Sequence, residues 1–563
     1  MTETTDVPAG NRALVVAASS MGTVFEWYDF FLFGTLASII AKNFTAGSES
    51  AGFIFALGAF AAGFFVRPFG ALFFGRIGDR TGRKRAFLLT ISIMGASTVA
   101  IGLLPTAQQA GMLAPVLLVV MRVLQGFAMG GEYGGAAVYV AEHADPKRRG
   151  FLTGWIQVTA ALGLVLALVV VLATRLATGE AAFQEWGWRL PFLLSAVLLA
   201  VSLWIRLKLS ESPVFQRMKI AQQVSRAPVA EAFRGTNLRR VMTALVCILL
   251  AQGAVWYTAH FYAQFFLERV LKVDGRTVNE LLIAGVALSA GGYVFFGWLS
   301  DRVGRKPVML FGMMLSAVLY FPAFHALTAS ANPALEAAAR RAPVTVYADP
   351  ADCHVQFDVL GRGVFDSSCD VARRILSDAG VPYRNAAAAP GSVARIAIGD
   401  VDVESVSVTG LIPAGAAIER ARVRDDVREA LSAAGYPTSA APDEVDIAAV
   451  LAILFLLMLA STALYGPQAA ALVELFPARI RYTALSVPYN IGTGWIGGLL
   501  PVSSFAIVAA TGNIYSGLMY PLLFTLVSIG ATFFFLPETN GRPLDHVNTD
   551  QKEWSDAGVA AIR

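Results

Sequence analysis

Charged residues are scarce in this 563-residue chain, making up 15% of it against 56% hydrophobic residues. Soluble globular proteins contain about a quarter charged residues, which argues against a chain of soluble domains. The three cysteines are too few for a disulfide framework or a multi-cysteine metal site. No phosphate-cradling glycine loop, zinc-ligand spacing or hydrolase triad is present. We therefore predict no enzymatic activity, no metal site and no cofactor.

Long apolar blocks take up most of the chain instead, and each can cross the roughly 30 Å hydrocarbon core of a bilayer. The first block is too long for a signal peptide and carries acids, so it reads as a span. The sequence predicts twelve membrane spans, at residues 14–41, 51–75, 86–105, 112–140, 150–176, 188–208, 238–268, 279–299, 307–329, 446–471, 482–510 and 514–537.

Lys and Arg are concentrated in the loops that follow even-numbered spans. The loops after the second, fourth and eighth spans carry Arg76, Arg80, Arg83, Lys84, Arg85, Lys147, Arg148, Arg149, Arg302, Arg305 and Lys306. Because short loops rich in Lys and Arg remain on the cytoplasmic side, both termini are predicted to be cytoplasmic. The predicted location is the inner (plasma) membrane of a bacterium.

One long stretch, residues 330–446, is too polar to cross a membrane and is predicted to face the periplasm. It contains strand-like and helix-like runs at Val344–Ala348, Val393–Ile398, Val403–Val408, Ser368–Asp378 and Ala417–Ala434. A small α/β insert is the favoured interpretation, and an Ala/Pro-rich, partly disordered excursion is the alternative. Since that compartment is oxidising, Cys353 and Cys369 are predicted to form a disulfide, with two free thiols as the alternative.

The predicted domain order follows from these boundaries. A six-helix bundle at 1–210 and a cytoplasmic linker at 211–237 are followed by helices seven to nine at 238–329. The insert at 330–446, helices ten to twelve at 447–537 and a cytoplasmic tail at 538–563 complete the chain. The predicted fold class is thus all-α polytopic, with two pseudo-symmetric six-helix bundles and a small extracytoplasmic α/β insert.

One motif, GxxxDRxGRK, occurs twice, from Gly75 after the second span and from Gly297 after the eighth. Such an internal repeat is typical of two homologous halves. Its glycines suit close helix contact and a turn with positive φ, and its Asp suits pairing with arginines or a helix N-terminus. We predict a conformational gate formed by Gly75, Asp79, Arg80, Gly82, Arg83, Glu142, Arg149, Gly297, Asp301, Arg302, Gly304, Arg305, Glu474 and Arg479.

This doubled loop resembles the signature of the major facilitator superfamily, across the chain except residues 330–446. The segments Gly22–Phe30, Arg67-Pro68 and Arg122–Gly135 are similar to the metabolite:proton symporter family. Members of that family carry shikimate, citrate, 2-oxoglutarate and other carboxylates, or proline and betaine. The resemblance implies alternating access driven by a proton gradient. The insert departs from the family pattern, and the short tail lacks the heptads of the osmosensing members.

Ionisable residues within the spans each cost roughly 2.5–3.5 kcal/mol on insertion scales, so each requires a reason. Glu26 and Asp29 are three residues apart and share a helix face, which suits proton binding and release. Structural pairing of these acids with Arg67 or Arg122 is the alternative. We predict a proton-coupling and substrate set of Glu26, Asp29, Arg122, Glu132 and Arg67. Polar and aromatic residues predicted to line or gate the cavity are Tyr28, Gln125, Gln252, Trp256, Tyr257, His260, Tyr489 and Asn490.

Together these features predict a proton-coupled symporter that takes up a small polar metabolite, most readily an organic carboxylate. The expected partners are this substrate, protons and membrane lipid, with no nucleic acid, and the expected state is a monomer. A zwitterionic osmolyte symporter is the first alternative. A sugar facilitator, a drug/proton antiporter and a transport-inactive sensor follow it. The sugar and drug signatures are absent from spans seven and five, respectively.

Overall fold

The structure is a computed structural model that describes residues 9–44, 49–208, 210–356, 365–542 and 544. Most of the predicted tail at 538–563 therefore lies outside the described residues, as do the first eight residues of the predicted N-terminal bundle.

Twelve long helices make up the membrane part of the structure. They are α1 (Ala9–Thr35), α2 (Glu49–Thr81), α3 (Arg83–Leu103), α4 (Leu113–His143), α5 (Arg149–Thr178), α6 (Arg189–Lys208), α7 (Gly235–Val270), α8 (Gly275–Val303), α9 (Arg305–Ala331), α10 (Ile447–Leu475), α11 (Arg481–Thr511) and α12 (Ser516–Phe535). Within the described residues, the ten helices α3–α12 are long and apolar enough to cross a membrane. Helices α1 and α2 occupy the positions of the first two predicted spans, and a separate short helix, Ala37–Phe44, continues the first.

Two groups of six helices face each other. In the first half α2 packs on α4, α3 on α6 and α1 on α5, and in the second half α8 and α9 pack on α10 while α7 packs on α12. Contacts between the halves run along α5 with α8 and along α2 with α11. We call the end that carries the doubled motif the basic-loop end and the opposite end the insert end.

Glycines bring α2 and α4 into backbone contact. A Cβ atom on Gly130 would lie 2.1 Å from the carbonyl oxygen of Arg67, and one on Gly126 would lie 2.0 Å from that of Gly63. Helices in lipid associate closely through such small residues, because any larger side chain would separate the backbones. The contact places Arg67 directly beside the polar face of α4.

Helices α7 and α11 are interrupted by π-helical segments, at Ala244–Leu249, Thr258–Tyr262 and Phe266–Val270 in α7 and at Ile491–Gly497 in α11. A π-helical turn widens the helix and breaks the regular hydrogen-bond ladder, and such turns occur frequently at functional sites. Both helices belong to the second half.

The insert between α9 and α10 contains a small α/β domain, as predicted. Its four strands are β1 (Val344–Ala348), β2 (Tyr383–Ala387), β3 (Arg395–Ile398) and β4 (Val401–Glu404). The sheet order is β2-β1-β3-β4, with β1 parallel to β2 and the other pairs antiparallel. The strand predicted at Val403–Val408 ends at Glu404, and β2 was not predicted because its sequence, YRNAA, lacks β-branched residues.

Helices cover the sheet and the insert is cross-linked. The insert helices are Pro333–Arg341, Ser368–Asp378 and Pro413–Ala433. Cys353 and Cys369 form a disulfide that joins the segment after β1 to the first turn of Ser368–Asp378. The third cysteine, Cys247, is a buried free thiol in α7.

The insert binds the ends of α7 and α11. The Tyr383 N–H donates to the carbonyl oxygen of Gly512 at 2.9 Å, and the Tyr383 hydroxyl donates to that of Ala509. Just after the end of α7, Lys272 Nζ donates to the carbonyl oxygen of Asp378 in the insert at 2.6 Å. Carbonyls at helix C-termini have no partner within their own helix. The insert therefore supplies donors to the end of α11, and Lys272 at the end of α7 supplies a donor to the last residue of the insert helix Ser368–Asp378.

Replacing Tyr383 by Phe and Asn385 by Ala should loosen this docking. The double variant removes the hydroxyl donor to Ala509 and the Asn385 amide donor to the carbonyl oxygen of Thr511, 3.1 Å away. Each bond is worth about 1 kcal/mol. We expect faster hydrogen–deuterium exchange at residues 380–385 and 509–512, measured by mass spectrometry. Tyr347→Phe is the control, since its hydroxyl makes no hydrogen bond within the described residues; equal exchange in both variants would contradict the docking.

Candidate functional site

A small cavity lies between the two halves. Helices α1, α2, α4 and α5 of the first half and α10 and α11 of the second half contribute to it. Its lining residues are Thr23, Trp27, Arg67, Met129, Glu132, Tyr133, Ile156, Gln157, Ala160, Tyr465, Tyr489 and Asn490. Arg67 is the basic residue and Glu132 the acidic residue of this lining, and the other lining residues carry aromatic, amide, hydroxyl or apolar side chains.

Three tyrosines connect the halves across the cavity. The rings of Tyr133 in α4 and Tyr489 in α11 stack with their centroids 3.7 Å apart. The hydroxyls of Tyr489 and Tyr465 lie 2.8 Å apart, within hydrogen-bonding distance. Gln157 Nε2 donates to the Tyr133 hydroxyl at 3.0 Å. This network joins α4 and α5 of the first half to α10 and α11 of the second half.

Arg67 is held against aromatic rings. Its guanidinium carbon lies 4.1 Å from the centroid of the Phe64 ring and 4.6 Å from that of Phe30. Nη2 lies 3.0 Å from the sulfur atom of Met129, and the buried Nε has no hydrogen-bond partner within the described residues. Cation–π contact stabilises the charge without using its donors. Arg67 therefore retains hydrogen-bonding capacity toward the cavity.

Glu26 forms an ion pair that the sequence analysis did not predict. Its Oε1 accepts from Nη1 of Arg206, in the last turn of α6, at 2.6 Å. Both side chains are almost completely buried. The carboxyl group of Glu132 lies within hydrogen-bonding reach of that of Glu26. The partner of Glu26 is thus Arg206 rather than Arg67 or Arg122.

Asp29 and Arg122 are connected indirectly, away from the cavity. Arg122 Nη1 donates to Gln125 Oε1 at 2.8 Å, and Gln125 Nε2 donates to Thr98 Oγ1 at 2.7 Å. The Thr98 hydroxyl donates to the Met94 carbonyl oxygen at 2.9 Å and lies beside the Asp29 carboxyl group, which accepts from Ser195 Oγ at 2.5 Å. Neither Asp29 nor Arg122 is among the residues that line the cavity.

Of the residues predicted to line or gate the cavity, Tyr489 and Asn490 line it. Tyr28 instead donates to the Pro191 carbonyl oxygen at 2.7 Å. His260 stacks on Trp256, and its Nδ1 lies 2.9 Å from the Trp256 carbonyl oxygen, so both form one packed unit of α7. Gln252 is buried elsewhere in α7. Tyr257 lies outside the lining but contacts Phe64 of the first half, with the ring centroids 6.1 Å apart.

At the basic-loop end, each motif Asp caps a helix of the opposite half. Asp79 accepts from the backbone N–H groups of Tyr482 at 3.1 Å and Thr483 at 2.9 Å, at the start of α11. Asp301 accepts from those of Gly150 and Phe151 at 2.8 Å, at the start of α5. A helix N-terminus presents free N–H donors and positive potential, which a carboxylate satisfies.

Ion pairs repeat this symmetry. Glu142 accepts from Arg481 Nη1 at 2.8 Å and lies 3.6 Å from Arg83 Nη2. Glu474 accepts from Arg149 Nη1 at 2.6 Å and lies 3.3 Å from Arg305 Nη2. The bonds to Arg481 and Arg149 each join the two halves. Two matched charge clusters therefore hold the halves together at this end.

The glycines of the motif permit this geometry. Gly82 and Gly304 have φ values of 118° and 104°, a region that L side chains rarely adopt, and each starts the following helix. A Cβ atom on Gly75 would lie 2.7 Å from Thr483 Cα, and one on Gly297 would lie 2.4 Å from the Gly150 carbonyl oxygen.

Three predicted gate residues lie outside these clusters. Arg80 and Arg302 are exposed, and Arg302 stacks on Trp298 of its own helix, 4.0 Å from the ring centroid. Arg479 lies 3.1 Å from Glu231, not from Glu142. Arg80 and Arg302 thus lie on the solvent side of their helix ends, whereas Arg479 is half-buried. Within the described residues, none of the three takes part in the matched clusters.

Several residues of the site were not predicted. Arg206 stands at the end of its span, where a basic residue is usually an interfacial anchor. Tyr133 and Gln157 carry no distinguishing pattern, although both belong to polar positions on otherwise apolar helices. Glu211 accepts from the N–H group of Arg83 at 3.0 Å, and Glu538 accepts from that of Arg305 at 2.9 Å. The similar Glu-Ser-Pro and Pro-Glu-Thr runs that end spans six and twelve are the signal that could have identified them.

Comparison with known sequences identifies the family. The profile of the Major Facilitator Superfamily matches residues 19–340, more than half of the chain. The chain belongs to the major facilitator superfamily. The profile of the family described as Sugar (and other) transporter matches residues 430–550 of this superfamily member, on the other side of most of the insert.

Relatives within the superfamily are bacterial metabolite transporters. The Escherichia coli (strain K12) proline/betaine transporter is 34% identical over 334 residues, which are 57% of this chain and 66% of that protein. The shikimate transporter of the same organism is 36% identical over 329 residues, covering 57% and 74%. Its alpha-ketoglutarate permease is 34% identical over 326 residues, covering 57% and 73%. The chain thus aligns with slightly less than two thirds of the proline/betaine transporter. The predicted membership of the metabolite:proton symporter family is confirmed.

Solved structures share the fold. The proton:xylose symporter XylE, bound to 6-bromo-6-deoxy-D-glucose, superposes with a TM-score of 0.62 at 15% identity, over 97% of this chain and 100% of that one. A double-Trp mutant of XylE gives 0.64 at 14% identity, over 97% and 99%. At such identities the likeness concerns the fold, and the predicted major facilitator fold is confirmed. The chain is accordingly a multi-pass membrane protein of a transporter family, not an enzyme.

Asp79→Ala should open the basic-loop end. Removing one partner from a buried charge cluster costs about 3–5 kcal/mol, here in the state that keeps this end closed. We expect faster reaction of a cysteine placed at Ser486, between α4 and α11, with an impermeant maleimide applied to inside-out vesicles, in a Cys247→Ser background. The control Arg80→Gln alters an exposed residue of the same motif. Equal labelling of the two variants would remove Asp79 from the gate.

Proposed function

We propose that this protein is a secondary active transporter that couples proton entry to uptake of a small polar metabolite by alternating access. The preferred substrate class is an organic carboxylate. The proposed location is a bacterial inner membrane, with the basic-loop end and both termini in the cytoplasm and the insert in the periplasm. The doubled basic loops support this orientation.

Arg67 is the observation that carries the proposal. It is a buried cation at a cavity between two halves of the molecule, and aromatic rings rather than a bonded carboxylate surround it. A guanidinium group binds carboxylates through paired hydrogen bonds, and this binding is stronger where water is excluded. In this proposal Arg67 is the anion-binding residue of the predicted proton-coupling and substrate set. Arg122 belongs to the same predicted set but bonds Gln125, which in turn bonds Thr98 beside Asp29.

The matched charge clusters at the basic-loop end supply the second element of the mechanism. Substrate leaves toward the cytoplasm only when α11 separates from Asp79 and α5 separates from Asp301. Each separation breaks buried hydrogen bonds, so the closed state is favoured until substrate and proton are both bound. This coupling converts a proton gradient into accumulation.

A zwitterion such as proline or a betaine is the second candidate. The cavity lining includes Glu132 and the aromatic residues Trp27, Tyr133 and Tyr489 in addition to Arg67. Aromatic faces bind quaternary ammonium groups, and a carboxylate complements their charge. Relatives named for proline and betaine stand beside relatives named for shikimate and alpha-ketoglutarate. A substrate panel therefore distinguishes the two classes.

Uptake into proteoliposomes tests the proposal. We expect accumulation of alpha-ketoglutarate or shikimate, exceeding that of proline and glycine betaine, only when the outside is more acidic than the lumen. Preference for the betaines would favour the second candidate. Accumulation that ignores the gradient would overturn symport, and no transport of any panel member would favour a sensor.

Arg67→Gln should abolish carboxylate uptake, because it removes the cation that binds the substrate. The expected loss is at least about tenfold in kcat/KM, which corresponds to 1.4 kcal/mol. Arg67→Lys keeps the charge but loses the paired donors, so an intermediate value is expected. Arg276→Gln, at an exposed residue at the start of α8, is the control. Wild-type kinetics in Arg67→Gln would exclude this residue from substrate binding.

A further inference from the structure

We propose that Arg206 keeps Glu26 ionised, so that the transported proton is bound by Glu132. Three acids, Glu26, Asp29 and Glu132, are buried near the cavity, and the proposed symport requires that at least one of them exchange a proton. The inference rests on the proposed function and assigns the roles within it. Glu132 is the proton carrier, and Arg206 is a positioning residue that acts through Glu26.

Three contacts fix the position of the Arg206 side chain. Its Nη1 bonds Glu26 at 2.6 Å, and its guanidinium carbon lies 3.5 Å from the centroid of the Phe87 ring. Gly22 makes room for it, because a Cβ atom there would lie 2.6 Å from Arg206 Nη2. A cation with this little freedom cannot leave Glu26 for another acid. A carboxylate beside a fixed guanidinium group is strongly favoured in its charged form.

Glu26 and Glu132 are in direct contact through their carboxyl groups. Glu26 Oε2 and Glu132 Oε1 are buried, and neither accepts a hydrogen bond from a donor in the described part of the chain. Two carboxylates in contact repel each other unless a proton lies between them. Because Arg206 favours the charged form of Glu26, the proton belongs to Glu132, whose O–H group then donates to Glu26.

Glu26 and Glu132 also differ in their exposure to the cavity. Glu132 lines the cavity, so its proton can exchange with water or act on a bound substrate, whereas Glu26 is not among the lining residues. Asp29 has its own donor, Ser195, and lies outside the lining. The position of Glu132 is the one from which a proton can be loaded at one end of the molecule and released at the other.

Charged and titratable groups from five other helices lie around Glu132 and its neighbour Glu26. They are Glu26 and Asp29 of α1, Arg67 of α2, Arg206 of α6, Tyr465 of α10, and Tyr482 and Tyr489 of α11. Of the two cations, Arg206 bonds Glu26, and Arg67 lines the same cavity as Glu132. Arg67 attracts an ionised Glu132, and a substrate carboxylate that binds Arg67 offsets that attraction. Substrate binding thus favours protonated Glu132, and release of either favours release of the other.

Glu132→Gln separates this inference from the proposed function. The amide resembles the protonated acid, so we expect exchange of alpha-ketoglutarate, or of proline, across proteoliposomes to persist and to lose its pH dependence. Accumulation driven by a proton gradient should disappear, and a lumenal pyranine signal should show no proton entry. If the wild-type protein accumulates neither probe under a gradient, the proposed function fails. If the wild type does so and Glu132→Gln still shows proton-driven accumulation, or if only Asp29→Asn loses the pH dependence, the inference fails.

Arg206 variants test the positioning role through the pH profile of exchange, whose midpoint a purely structural role of Arg206 would leave unchanged. Arg206→Gln removes the charge beside Glu26, so the pair should hold its proton to higher pH. We expect the midpoint of the pH profile of exchange to rise by about one pH unit or more. Arg206→Lys keeps the charge and should show a smaller rise. Size-exclusion chromatography and exchange at acidic pH establish that each variant is folded, and an unchanged midpoint in folded Arg206→Gln overturns the role.

Discussion

The structure depends on one constraint: an ionised side chain inside a low-dielectric bundle requires a partner in a fixed place. Six arginines, Arg83, Arg122, Arg149, Arg206, Arg305 and Arg481, are among the largest fully buried side chains. Five of these form ion pairs, and Arg122 donates to a neutral amide. Arg67 is stabilised instead by aromatic rings. Because desolvation of an unpaired charge is expensive, each pair fixes the relative position of the helices that supply it.

The two ends of this charge system differ in symmetry. At the basic-loop end, the two halves contribute equivalent residues, and Asp79 and Asp301 perform the same task on opposite helices. Near the cavity the charges come from the first half, while the second half contributes tyrosines and Asn490. A symmetric gate suits a movement that both halves share. An asymmetric centre suits chemistry that requires one proton site and one anion site.

The sequence predicted the features that repeat or that follow backbone rules. The capping role of Asp79, the positive φ at Gly82 and the extent of helix Ser368–Asp378 follow from local patterns, and the structure contains each of them. Contacts between helices that are distant in sequence could not be predicted. From the sequence, Arg206 resembles an interfacial anchor, and only the packing of α6 beside α1 shows that it bonds Glu26. Likewise, β2 is a strand because it pairs with β1. Arg80 and Arg302 match the motif, but a spacing rule does not say on which side of the helix end a long side chain lies.

The insert changes the number of independent movements available to the second half. Hydrogen bonds from Tyr383 hold the end of α11, and those from Lys272 and Asn332 connect the end of α7 to the insert and to α9. The ends of α7 and α11 are therefore tied to the same small domain, and they can part at this end only if these bonds break or the insert deforms. The π-helical turns at Thr258–Tyr262 and Ile491–Gly497 lie outside these bonds, so each helix can bend there while its end stays attached to the insert.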